Sequence, residues 1–101
     1  MIKHIVIWKL KDTAEGSSRE QNAVKMKNNL EALKNSIPVI RHIEVGINIL
    51  QSDSAYNVAL YSEFDNEKDL EIYQKHPDHI SAAGFVSKVC EERVVVDYRS
   101  D

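Results

Sequence analysis

The sequence predicts an α+β fold of element order β-α-β-β-α-β, and three observations predict it. Four segments read as strands, and in the second and third of them apolar residues fall on a common face with a period of two. Between the first and second of these, and again between the third and fourth, they recur at steps of three and four, the period of a helix with one buried face. No repeat, low-complexity tract or linker interrupts that order. With 101 residues, 43% of them hydrophobic, the chain has the material for one core and is read as a single domain over residues 1–101.

Ile2 to Leu10 is a strand with Ile2, Val6 and Trp8 on one face and Ile5 and Ile7 on the other, the pattern of a strand covered on both sides. After the loop "KDTAEGSS", the run "SSRE" offers Ser17 as helix N-cap with Glu20 three residues on, a capping box. Ala23, Met26, Leu30, Leu33 and Ile37 then mark the apolar stripe of a helix that ends before Pro38. From Ile40 to Leu50 the period is two, with Ile43, Val45, Ile47 and Ile49 on a common face. The polar turn "QSDSA" leads to a third strand, Tyr56 to Phe64, expected to pair with the second as a hairpin. Asp65 and Asn66 are capping candidates for a short helix to about His76, Asp78 to Val89 is helical again, and "ERVVVDY" closes the chain as the fourth strand.

This is the ferredoxin-like arrangement, one antiparallel four-stranded sheet with helices on one face. The other sheet face needs a cover. The first strand is apolar on both sides and the second carries a full row of Ile and Val, so a homodimer joined sheet to sheet is expected.

Composition narrows the function classes. Thirteen Lys and Arg against sixteen Asp and Glu give a net charge of -3 with the basic residues scattered, which argues against a nucleic-acid partner. Lys3, His4, Lys9 and Lys11 break the apolar N-terminus before it could form a signal-peptide core or a membrane span, so it is read as structure and the protein as cytoplasmic. A single cysteine, Cys90, offers no disulfide and no CxxC motif and is read as a small buried apolar residue. The three glycines are too widely spaced for a phosphate loop.

Chemistry concentrates in "YQKHPDHI", Tyr73 to Ile80, which holds two of the four histidines. Pro77 disfavours helical geometry at His76 and suits the first position of a new helix, so His76 becomes a cap and His79 falls in the first turn. His79 then shares a stripe with Ala82, Ala83, Val86 and Val89, pointing it to the core side with room beside the small alanines. A helix N-terminus disfavours imidazolium and keeps the ring able to accept a proton, whereas Asp78 pulls the other way. Tyr73, one turn before the proline, lies within reach of the same space, the makings of a general base with a hydroxyl partner. The competing reading is structural: a partly buried His79 satisfied by a backbone carbonyl, Tyr73 as core, His76 as cap only. His42 reads as a solvated residue. A metal would want a third ligand beyond His76 and His79, and the proline turns those two rings apart, so neither metal nor organic cofactor is expected.

The segments "IKHIVIWKLKD", "EVGINIL", "YNVALYSEFDNEKDLEIYQKHPDH" and "RVVVDY" resemble the stress-responsive dimeric α/β-barrel family over Ile2 to Tyr98. The resemblance implies a ferredoxin-like protomer that dimerises through its sheets into a barrel. One plant cyclase of that family closes a polyketide by intramolecular aldol condensation without metal or cofactor. By similarity, its base corresponds to His79, its supporting tyrosine to Tyr73 and a pocket histidine to His4, while a further pocket histidine falls at or next to Val58. The expectation is a cavity for a small hydrophobic or aromatic ligand with His79, Tyr73 and His4 as its polar groups, serving either cofactor-free acid-base chemistry of the cyclase or lyase kind or a stress-associated binding role without turnover.

Overall fold

Four strands of one antiparallel sheet organise the molecule, which a computed structural model describes over Met1–Asp101. Their spatial order is β4-β5-β1-β6, where β1 is Ile2–Leu10, β4 His42–Ile47, β5 Val58–Phe64 and β6 Cys90–Arg99. The first and last strands thus lie side by side, β1 is central, and β4 and β5 form the expected hairpin. The loop after β1 contains a small hairpin, β2 (Thr13–Ala14) with β3 (Ser17–Ser18). Its two-residue turn, Glu15 and Gly16, has positive φ at both positions (52° and 75°), which glycine meets without strain at the second.

The first helix is capped one residue later than expected, at Ser18, the last residue of that hairpin. Ser18 Oγ accepts from the Gln21 N–H and Gln21 Oε1 accepts from the Ser18 N–H, so the box is Ser18/Gln21 and not Ser17/Glu20. The expected single helix is also two, α1 (Arg19–Glu31) and α2 (Leu33–Ser36), parted at Ala32, whose N–H is shared by the Asn28 and Leu30 carbonyls. The last two helices, α3 (Glu67–Lys75) and α4 (Pro77–Val89), meet at His76 as expected. Asn66 rather than Asp65 caps α3, because Asp65 is held by the Arg41 guanidinium.

Alternation along the strands sorts side chains between two environments. Ile2, His4, Val6, Trp8 and Leu10 of β1, Ile43 and Val45 of β4 and Val58, Leu60, Ser62 and Phe64 of β5 are buried against the helices. The strand expected over Ile40 to Leu50 spans His42–Ile47, and beyond the Ile47–Val58 pair a single bond, from the Asn48 N–H to the Asn57 carbonyl, closes the ladder. Ile47 and Ile49 therefore leave the buried row, and Ile49 is 87% exposed.

The open face is apolar for a different reason than the sequence implied. The Ile and Val row of the second strand faces the helices. Ile5 and Ile7 of β1 meet Ala59 and Tyr61 of β5 and Val94 and Val96 of β6 by direct cross-strand pairing on the other side. Charged residues flank this centre at Lys3, Glu63, Lys9 and Glu92. No helix is long and apolar enough to cross a membrane.

Candidate functional site

Pro77 builds the site. It breaks the helical run, and His76, in extended geometry, caps the new helix by accepting the Asp78 N–H on Nδ1 at 3.1 Å. One turn on, His79 turns the opposite way, and its Nδ1 lies 3.1 Å from the Gln74 carbonyl oxygen in the last turn of α3. A carbonyl can only accept, so Nδ1 carries the proton and Nε2 is the free, basic nitrogen of the neutral ring. The ring is tied to a backbone carbonyl on one side and borders a cavity on the other.

That cavity, about 280 Å³, lies between the helices and the covered face of the sheet. The sheet supplies His4, Val6, Trp8, Leu60 and Arg93; α1 supplies Leu30, α3 Tyr73, and α4 His79, Ala83, Val86 and Ser87, with Cys90 at the junction of α4 and β6. The wall is mainly apolar, with a few polar groups converging on it, the usual make-up of a small-molecule site. Tyr73, 1% exposed, is the centre of an aromatic run: its ring centroid is 4.5 Å from that of His79, 5.0 Å from Phe64 and 6.2 Å from His4.

The electrostatics derive from burial. Desolvation lowers the His79 pKa from its ordinary value; the Gln74 carbonyl opposes this, and the charges of His4, Arg93 and His76 reinforce it. Burial pushes the Tyr73 phenol up to about 12, with Arg93 pulling the other way. At neutral pH the pair is thus a neutral imidazole beside a protonated phenol.

His4 comes from a central strand at 3% exposure. Its Nδ1 is hydrogen-bonded to Asp97 Oδ1, the cross-strand neighbour on β6. The carboxylate accepts, so Nδ1–H is again fixed and Nε2 is the ring's remaining nitrogen. His79, Tyr73 and His4, singled out in the sequence, therefore line one cavity. His76 lies outside it, and no group of three His, Cys, Asp or Glu side chains is placed to hold a metal ion. His42 is exposed on the open face, 3.5 Å from Glu44. Val58, the position of a further histidine in the cyclase, is buried opposite Trp8 and adds no polar group.

Three residues of the site were not legible as such. Asp97 and Arg93 reach it only through the β1/β6 register, which pairs His4 with Asp97 and Trp8 with Arg93. The one available signal was charge interrupting the apolar run "RVVVDY". Trp8 is core, as expected, but it is also cavity wall, and its Nε1–H is buried without a hydrogen-bond partner. Cys90, expected to be buried, is half-buried at the same wall.

A ferredoxin-like protomer with an apolar, histidine-bearing cavity under its sheet defines the class of protein. The chain belongs to the Stress responsive A/B Barrel Domain family, whose model matches residues 2–100. It is 30% identical over its whole length to a stress-response A/B barrel domain-containing protein of Arabidopsis thaliana, of which it spans 37%. A crystal structure of a dimeric, ferredoxin-like protein of unknown function from Bacteroides fragilis is 38% identical, with a TM-score of 0.78 over 98% of this chain and 95% of that one. A hydroxynitrile lyase from Passiflora edulis has the same fold at 20% identity, with a TM-score of 0.79 over 96% of this chain and 90% of that one.

Proposed function

We propose that the protein is a homodimer whose cavity takes a small hydrophobic or aromatic ligand and performs cofactor-free acid-base chemistry on it, of the lyase or cyclase kind. His79 is the base. Its Nε2 takes a proton from carbon next to a ligand carbonyl, and the resulting enolate oxygen accepts a hydrogen bond from the Tyr73 hydroxyl; the imidazolium then returns the proton. His4, held by Asp97, is the second polar group of the pocket. The observation that carries this reading is the fixed tautomer of His79, basic nitrogen free, beside a buried phenol. The Passiflora lyase supports only the compatibility of the fold with such chemistry.

The test is deuterium incorporation at the methyl group of acetophenone in D2O. Wild type should exceed an equal concentration of free imidazole, and His79→Ala and Tyr73→Phe should not. If wild type matches free imidazole, the second reading stands, a binding protein of the stress-responsive family without turnover. The Gln74 carbonyl favours that reading, since it gives the His79 ring a structural reason to be there.

The dimer is supported by the apolar open face around Ile5, Ile7, Val94 and Val96 and by the dimeric relative from Bacteroides fragilis. Sedimentation equilibrium at micromolar concentration should give twice the 11.5 kDa chain mass. A folded monomer there would remove this part of the proposal.

A further inference from the structure

Arginine usage singles out one residue. Arg19 pairs with Asp12, Arg41 with Asp65 and Arg99 with Glu67, each through a short contact to a carboxylate oxygen. Arg93, exposed on the edge strand β6, alone of the four has no ion pair or side-chain hydrogen bond within the chain, and it lines the cavity at its open side. The acids around it are committed elsewhere: Asp97, on the same face of β6, holds His4, and Glu92, on the opposite face, accepts from the Tyr56 hydroxyl. Directly across from Arg93 on β1 stands Trp8, 4% exposed, with its unpartnered Nε1–H. Directly opposed residues have Cβ atoms about 5 Å apart, and both side chains line the cavity.

A buried N–H without an acceptor is costly, and a guanidinium fork is shaped for two parallel hydrogen bonds to a carboxylate. The geometry points to a ligand with an apolar, ring-sized body and a carboxylate at one end, the carboxylate held by Arg93 with the Trp8 indole N–H as second donor. This inference rests on the proposed use of the cavity and names the ligand's chemical class. The size agrees: at about 30 Å³ per water, 280 Å³ corresponds to roughly nine waters, room for a single ring with a short substituent. The carboxylate end lies at the sheet, and the body extends toward Tyr73 and His79, which line the same space from the helices.

The chain carries one tryptophan, so its indole N–H gives a single NMR resonance at the cavity wall. Sodium benzoate, benzamide and toluene are titrated into the full chain while this resonance and the His79 ring signals are followed. Benzoate should bind on the order of tenfold more tightly than its neutral isostere benzamide. Arg93→Gln should bring the two together, Arg93→Lys should keep part of the preference, and Trp8→Phe should weaken benzoate relative to toluene. Equal binding of benzoate and benzamide by wild type, or a preference that survives Arg93→Gln, overturns the carboxylate assignment while toluene binding keeps the cavity as a ligand site. If no probe moves any cavity resonance, both fall.

Discussion

Replacing His79 by alanine separates a base at a cavity wall from a structural histidine, and the structure sets the expected size of the effect. The ring loses one hydrogen bond, to the Gln74 carbonyl, worth about 1 kcal/mol. Gln74 is exposed, so water can take the place of Nδ1–H and no unsatisfied carbonyl is left behind. The ring also loses its contact with Tyr73, another ~0.5–1 kcal/mol. Alanine's better helix propensity returns about 0.5 kcal/mol in the first turn of α4. The net is a loss of roughly 1 kcal/mol, or about 4–8 °C in a domain of this size. Thermal melts followed by circular dichroism, at equal protein concentrations because a dimer's Tm depends on concentration, give the stability arm. Acetophenone deuteration gives the chemical arm. The expected outcome is a modest fall in Tm with exchange reduced to the free-imidazole rate. A loss beyond about 3 kcal/mol would mean that the ring is a core element and would refute the assignment. An unchanged exchange rate in a well-folded variant would refute it from the other side.

Tyr73→Phe keeps the ring and removes a hydroxyl that no protein group holds, so melting should shift by less than about 1 kcal/mol while exchange is lost. Because burial depresses the His79 pKa, the folded state binds fewer protons than the unfolded chain between the depressed value and the ordinary one of about 6.5. The stability tied to a neutral His79 is therefore complete above about pH 6.5 and declines as pH falls below it. Urea unfolding of wild type and His79→Gln from pH 5 to 8 should show the wild type losing more stability on acidification, and parallel curves would contradict the burial of the ring. Val96→Glu places a charge beside Ile5 in the apolar part of the open sheet face and should shift sedimentation toward the monomer with the helix content intact; an unaltered dimer would mean that the partner sits elsewhere.

Local periodicity carried most of the fold, and it failed where a neighbour in space decides the outcome. The apolar alternation of the second strand continues to Ile49, yet the strand ends at Ile47, opposite Val58, the first residue of its partner. The capping box was ambiguous within "SSREQ", where both serines have an acidic or amide residue three positions on, and it is Ser18 with Gln21 that forms it. His79, Tyr73 and the cap at His76 were legible because one proline organises all three within a few residues. Asp97, Arg93 and the cavity role of Trp8 depend on the alignment of strands from opposite ends of the chain. A register shift of one residue would set His4 against Val96 and Trp8 against Glu92, or His4 against Tyr98 and Trp8 against Val94, and no local pattern excludes that.

The same alternation couples the two proposed roles of the protein. Along β1, His4, Val6 and Trp8 face the cavity while Lys3, Ile5, Ile7 and Lys9 face the open side. In the proposed reading, three alternate residues of one nine-residue strand thus serve the ligand site and the residues between them the partner. Burying the open face against a second copy would clamp Ile5 and Ile7, and with them the backbone that aims the His4 and Trp8 side chains. Dimerisation would then hold the polar end of the cavity in register without contributing a single atom to it. A monomeric variant that stays folded should for this reason bind benzoate more weakly than wild type, although its cavity residues are all unchanged.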